Sequence, residues 1–313
     1  MQNKKLLAAA AAGLMLLTGC SGATASVSDP DKELMTVGDV TVTRGQVYDC
    51  IKKSTGPNLT MQMAEQVIYD REVPVDEEIR KEAQDNYNEY AKTSDDLEGY
   101  VQSMGYKDKQ DYIDRVLIPA VQAEKLLTKW FTDAQEEIVQ EYKPSRAQII
   151  QTDSRDSADK ALQALKDGKS AQDVAGQYAA EGTSYTGTAA IVTSMDSVLP
   201  TRLINTLSSA QSKAGVLNEV FENDDQTQYF VAVLVSNDYD TIKGDLESTL
   251  SGDSTVSEKC LVSYLTETDF QVYDQDIFDY LRVNYPQYLV TRPDLMESDD
   301  SDRSAQHGSS RDQ

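Results

Sequence analysis

The 313-residue chain sets 53 Asp and Glu against 29 Lys and Arg, for a formal net charge of −24, and holds one histidine and three cysteines. A surface this acidic repels nucleic-acid phosphates and anionic lipid headgroups, which argues against binding either by charge. The length allows one to three domains with real cores. No HExxH, CxxC or His/Cys cluster is present, so a zinc or thiol-exchange site has no support and no cofactor is expected.

In chain order, MQNKKLLAAAAAGLMLL comes first, two lysines followed by a short apolar run. It reads as a secretion signal, too short for a comfortable membrane span, and is set aside from the fold. The stretch LLTGC that closes it resembles a bacterial lipobox, with Leu17, Thr18 and Gly19 before Cys20. That likeness implies that Cys20 becomes the first mature residue and carries the lipids; an ordinary cleavage site with an incidental cysteine is the alternative. Two or more acyl chains anchor stably, at about 0.8 kcal/mol per buried CH₂. Loss of residues 1–19 removes two positive charges, Lys4 and Lys5, and takes −24 to −26. Residues 20–33 form a small-residue tether.

LMTVGDVTV reads as a hairpin turning at Gly38-Asp39, and Thr43 is placed to cap a helix that begins near Arg44. On that helix Val47, Cys50 and Ile51 recur at helical spacing, as do Met63, Val67 and Ile68 on the next. Pro74 breaks the chain before a helix with Ile79, Ala83, Tyr87 and Tyr90 on one face, and DDLEGYVQSM makes a further one. The long segment DKQDYIDRVLIPAVQAEKLLTKWF is helical, kinked or divided by Pro119. Thr132 and Gln135 have the spacing of a capping box that restarts the helix. Residues 34–143 thus read as one helical segment.

The texture changes at Pro144. SRAQIIQT is a strand, and DSADKALQALKDG a helix ending at Gly168. Ser170 and Asp173 cap another helix, and the loop EGTSYTGT leads to the strand AAIVT. Gly182 and Gly187 in that loop read as turns with unusual backbone angles, not as a phosphate cradle. A short helix near residues 199–207, a strand in AGVLNEVF and a strong, central strand in YFVAVLVSND complete an α+β module over residues 144–239. Residues 240–290 return to helix, with FQVY as one short strand. Residues 291–313 are acidic and nearly devoid of apolar side chains; they read as disordered, and His307 within them as a solvated tail residue without a chemical role. Cys50 and Cys260 either pair as a disulfide or stand as separate, at least partly buried thiols; spacing alone does not bring their Cβ atoms together, which favours the second.

Taken in this order, the lipobox, VGDVTVTRGQVYDCIKK, the helical region, the central module and the closing TDFQVYDQDIFDYL resemble the extracytoplasmic foldases of the PrsA family and, more loosely, the chaperone SurA. The resemblance implies an α+β fold class: a discontinuous, mostly helical chaperone domain, residues 34–143 with 240–290, carrying an inserted parvulin-like prolyl-isomerase module. Within that module Gln148 falls where the family's first histidine belongs and Phe230 where its second does. Glu181 falls near the family's acidic or cysteine position, TGTAA replaces GGDLG, and VLPTR replaces MVPEF. The last change puts Arg202 in the proline pocket's aromatic position unless Leu203 takes its place. Gln148 does not titrate near neutrality and Phe230 neither donates nor accepts, although isomerisation needs no proton transfer and Tyr178 or Tyr185 offers a hydroxyl.

The expected function is therefore that of a lipid-anchored chaperone on the extracytoplasmic face of the cell membrane. Its partners are unfolded or partly folded exported polypeptides, met through contacts such as Tyr87, Tyr90, Tyr100, Met104 and Tyr112, and a homodimer is left open. Two alternatives stand beside it: an active prolyl isomerase with Gln148, Glu181 and Phe230 at its pocket, and a non-catalytic surface scaffold.

Overall fold

The computed structural model describes residues 26–289. The signal segment, Cys20, His307 and the acidic tail lie outside the described residues. Within them the chain divides into two compact units, one formed by residues 26–67 with 262–289 and the other by Ile68–Leu261.

In the unit built from the chain ends, strands β1 (Glu33–Val37) and β2 (Val40–Thr43) pair antiparallel around Gly38, whose φ of +61° suits the first place of a two-residue loop. Thr43 caps α1 (Arg44–Ser54) with the reciprocal capping box, its hydroxyl accepting from Gln46 N–H while the Gln46 side chain accepts from Thr43 N–H. The expected faces of the next elements pack only in part, through Val47 and Ile68. On α1, Cys50 and Ile51 are exposed and Lys52 is the buried residue. On α2 (Gly56–Glu72), Pro57, Met61 and Ile68 turn inward while Met63 and Val67 face solvent. Near the other end of the chain, α12 (Ser254–Thr266) is followed by irregular backbone and then by α13 (Gln275–Asn284), capped by Asp274. FQVY forms no strand. Its ladder groups have no partner strand to meet, and Tyr273 is among the most exposed apolar side chains. Lys52 Nζ donates to Asp274 Oδ2 at 3.3 Å, and Tyr280 OH donates to Asn58 Oδ1 at 3.1 Å, so residues far apart in sequence share one body.

The larger unit contains a helical part and a sheet part. Its helices are α3 (Glu77–Thr93), α4 (Leu97–Ser103) and α5 (Lys109–Tyr112), then a π-helical turn (Ile113–Leu117), α6 (Ile118–Asp133) and α7 (Gln135–Tyr142). Pro119 stands in the first turn of α6, where the long helical segment is divided by the π turn before it. The proline's missing N–H and crowded ring are accommodated by that turn, where Ile118 N–H donates to Ile113 O. The Thr132/Gln135 capping box does not form: α6 runs through Thr132 and Asp133, so Thr132 lies inside the helix and α7 starts from Ala134 without a side-chain cap. Ile79, Ala83, Val101, Ile113, Leu117 and Val121 form the core between these helices. After the sheet part, α11 (Tyr239–Leu250) returns to α6, and Tyr239 OH donates to Phe131 O at 2.6 Å.

The sheet part follows the order β4-β3-β7-β5, with β6 also on β7: β3 is Ser145–Thr152, β4 Thr186–Val192, β5 Gly215–Val216, β6 Phe221–Glu222 and β7 Tyr229–Ser236. The strand expected in AGVLNEVF is two short pieces, and β7 is central as its apolar run requires. Helices α8 (Arg155–Lys166) and α9 (Ala171–Tyr178) cover one face through Ala161, Leu165, Val174, Ile150 and Val231. Helix α10 (Thr201–Ser208) covers the other through Leu203, Leu207, Ala147, Ile149 and Phe230. A mostly helical body with an inserted α+β module is thus the architecture of the chain. Cys50 and Cys260 are both free; Cys260 is buried, and burial pushes its thiol up to about 12.

Candidate functional site

The residues at the family's histidine positions do not meet. Along antiparallel β3 and β7, Gln148 stands opposite Val233, while Phe230 stands opposite Gln151. Partners in register share a face and neighbours along a strand alternate, so an offset of three residues puts Gln148 and Phe230 on opposite sides of the sheet. Their surroundings agree. Gln148 lies on the α8–α9 side, its Nε2 donating to Gly187 O at 3.1 Å. Phe230 is fully buried on the α10 side against Leu203, Leu207 and Phe221. Glu181 is exposed in the loop before β4. The three expected pocket residues therefore occupy two faces and a loop.

The polar groups on the Phe230 face belong to a different set. Tyr185 meets the Phe230 ring edge to face, with centroids 6.0 Å apart, and its hydroxyl donates to both oxygens of Asp196 at 2.7 and 2.8 Å. Asp196 Oδ1 also accepts from the N–H groups of Val198 and Leu199 at 3.0 and 3.2 Å. Burial first, and then the Asp196 carboxylate, raise the Tyr185 phenol far above its ordinary range, so it stays protonated and committed as a donor. Gln151 is held similarly, its Oε1 accepting from Thr183 Oγ1 at 2.7 Å and its carbonyl accepting from Ala180 N–H at 2.8 Å. Gln151 and Asp196 were not legible as site residues: polar side chains in strand and loop have no motif to mark them, and only the register brings Gln151 beside Phe230.

Of the two candidates at the end of VLPTR and just beyond it, Leu203 turns into the core and Arg202 stays outside, paired with Glu219 and lying over the Phe221 ring at 5.7 Å. Pro200, Arg202, Phe221, Asn223, Asp224 and Gln226 border a cleft of about 300 Å³. A catalyst of rotation about an X–Pro bond needs a dry apolar seat for the ring and donors aimed at the twisted amide. Here Phe230 and Leu203 fill the space above the sheet, and the half-buried hydroxyl of Tyr185 is bound to a carboxylate.

Among the expected contacts for bound polypeptide, Tyr87 is core, and Tyr112 is half-buried against it and Tyr106, with ring centroids 6.3 and 5.2 Å away. Tyr90, Tyr100 and Met104 are exposed. Further exposed apolar side chains lie elsewhere. Leu59, Met63 and Val67 of α2 are 48, 71 and 65 % exposed, and their i, i+4, i+8 spacing places them in one stripe. Leu34, Met35, Val37 and Val40 of the hairpin are exposed as well. The signal for the stripe was in the sequence, but the periodicity of apolar residues does not say which of two apolar faces is covered. Among the described residues no helix is long and apolar enough to cross a membrane.

A helical body interrupted by a small antiparallel sheet with helices on both faces defines the class of fold. No protein-family model and no curated protein matches the chain. Among solved structures, the peptidylprolyl isomerase PrsA from Bacillus cereus is similar, with 18 % identity and a TM-score of 0.51 over 81 % of this chain and 98 % of that one. The foldase protein PrsA from Streptococcus pneumoniae matches at 19 % identity, covering 82 % of this chain and 100 % of its own, with a TM-score of 0.39. PrsA from Bacillus subtilis matches at 18 % identity over 80 % and 98 %, with a TM-score of 0.37. The Bacillus cereus superposition carries the conclusion that the chain has a PrsA-like fold.

Proposed function

We propose that the protein is an extracytoplasmic foldase, held at the membrane through lipid on Cys20, that keeps partly unfolded exported polypeptides from aggregating without itself catalysing prolyl isomerisation. The observation that carries this reading is the solvent-facing apolar stripe of Leu59, Met63 and Val67. A folded chain gains nothing from exposing such a row, whereas an unfolded client buries its own apolar side chains on it. Tethering makes weak, distributed contact sufficient, because it raises the local concentration where clients emerge. The signal segment, the LLTGC stretch and the PrsA-like fold agree with this placement. The occupied space around Phe230 and the committed hydroxyl of Tyr185 speak against catalysis.

Light scattering by a chemically unfolded client, with and without the mature chain, tests the holding activity; unchanged aggregation at molar excess of the chain overturns it. A proline-peptide assay on the same preparation is expected to give the uncatalysed rate. Cys20→Ser is expected to move the protein from the membrane to the soluble fraction.

A further inference from the structure

Well around α2 from the apolar stripe, another side of the helix borders a cleft formed wholly within the unit of the chain ends. Asn58, Met61, Gln62 and Glu65 follow at i, i+3, i+4 and i+7 and so share one side of the helix. Across from them stand Tyr285, which precedes the 3₁₀ turn begun by Pro286, and Tyr288, which ends it; the two pack edge to face with centroids 5.9 Å apart. These six residues line an open cleft of about 300 Å³. That is the low end of the range for small-ligand sites and suits one long side chain.

The lining has one formal charge, and it is negative. Glu65 is half-buried, and its carboxylate makes no ion pair or hydrogen bond among the described residues. Burial alone raises this carboxyl above its ordinary range, the mark of a charge set in place without a counter-ion. Asn58 and Gln62 add amide oxygens; that of Asn58 already accepts from Tyr280 OH and keeps a second lone pair. A carboxylate, two amide acceptors and two tyrosine rings make the complement of a guanidinium group. Its plane stacks on an aromatic face, two N–H groups meet a carboxylate together, and the rest reach neutral acceptors. An ammonium group satisfies fewer of these at once.

We propose that this cleft receives an arginine side chain of a bound exported polypeptide. The inference rests on the client-holding reading and names what the client presents: an arginine flanked by apolar residues. One helix carries both features on different sides, and they come closest where Leu59 adjoins Gln62 at i+3, so a chain that crosses α2 there sets an apolar side chain on Leu59 and turns its arginine into the cleft. The net charge of −24 draws such a basic segment in.

The test uses the full mature chain and a fluorescent nonapeptide holding one arginine among leucine, valine and glycine. Its counterpart carries citrulline, which has nearly the same shape and no charge. At low salt the arginine peptide is expected to bind about tenfold more tightly, the preference falling as salt screens it and vanishing in Glu65→Gln. Tyr285→Leu, which leaves the carboxylate in place, is expected to lower the preference about threefold. Equal binding of the two peptides to the unaltered chain overturns the proposal. So does a preference that emerges only after residues 290–313 are removed, because Arg292, Arg303 or Arg311 of the chain itself would then hold the cleft. If the two peptides bind alike while aggregation is still suppressed, the arginine site falls and the client reading stands. If arginine is preferred but no client is held, the site stands and the client reading falls.

Discussion

Lys52 on the first helix and Asp274 at the cap of the last are bonded to each other, Nζ to Oδ2 at 3.3 Å, with both side chains withdrawn from water. Asp276 completes the arrangement at 2.8 Å from Nζ, and Asp274 Oδ1 also accepts from the N–H groups of Asp276 and Ile277. One carboxylate therefore starts α13 and neutralises a lysine 222 positions earlier in the chain.

Removing Asp274 leaves the desolvated Lys52 with Asp276 alone beside it, and removing Lys52 leaves Asp274 without its cation. Asp274→Ala loses the helix cap as well, and is expected to cost about 3 kcal/mol, toward the lower end for a broken buried pair because Asp276 is partly exposed and remains. Lys52→Met, which keeps the aliphatic stem, is expected to cost less than Asp274→Ala. The Asp276 hydrogen bond, together with Asp274 and against the opposing effect of burial, raises the Lys52 ammonium above 10.5. A raised folded value means that the contribution is complete below 10.5 and is lost as pH climbs through the higher folded value. Thermal melts of the native chain and Lys52→Met are thus expected to differ by a constant amount through neutral pH and to converge in strong alkali. A difference that widens in alkali would contradict the arrangement.

The opposite placement of Gln148 and Phe230 bears on any attempt to restore an isomerase. The double substitution Gln148→His and Phe230→His puts one imidazole under α8 and α9 and the other under α10, with the sheet between them. No acceleration of a proline peptide is expected from it. Phe230→His also buries a polar ring in an apolar cluster, and Phe230→Ala opens a cavity at a cost of about 3–5 kcal/mol. Denaturant melts check the second statement and the peptide assay the first; a gain in isomerisation rate would show that the strands pair differently.

Local chemistry was the legible part of this fold. Gly38, Thr43 and the continuous apolar run of β7 each announce their structure within a few residues, because turn angles, caps and strand burial are decided by near neighbours. What failed to show depends on distant partners. Lys52 reads as surface until Asp274 and Asp276 come to it, and Met63 and Val67 read as core because an apolar stripe is the same whether covered or bare. FQVY has the composition of a strand without a strand to pair with. The candidate site failed for a related reason, since matching a motif residue by residue says nothing of register, and register decides the face.

Gly187 and Gly182 offer a matched pair for separating backbone strain from close packing. Both have positive φ, +75° and +77°. A Cβ on Gly187 would stand 2.4 Å from Ala171 O at the start of α9, whereas one on Gly182 would meet nothing within 4 Å. Gly182→Ala is expected to cost about 1–2 kcal/mol, the left-handed penalty alone. Gly187→Ala is expected to cost clearly more, because β4 and α9 must move apart and disturb the carbonyl that Gln148 uses. Equal denaturant midpoints for the two variants would refute the close approach.

The exposed row on α2 makes the sharpest demand on the functional reading, because its removal separates stability from activity. Leu59→Gln, Met63→Gln and Val67→Gln keep good helix character at the first two sites, improve on a β-branched residue at the third, and remove no buried contact. The triple variant is expected to melt within about 0.5 kcal/mol of the native chain, as surface changes do. Its affinity for an unfolded client is expected to fall by about 2 kcal/mol, on the order of thirtyfold, since three partly buried apolar contacts are lost. Ile68→Ala, one position beyond the row but facing inward, serves as the opposite control: it is expected to destabilise by about 2–4 kcal/mol. Were the triple variant to hold clients as well as the native chain does, the apolar row would have no part in the function, and the reading that depends on it would have to be abandoned.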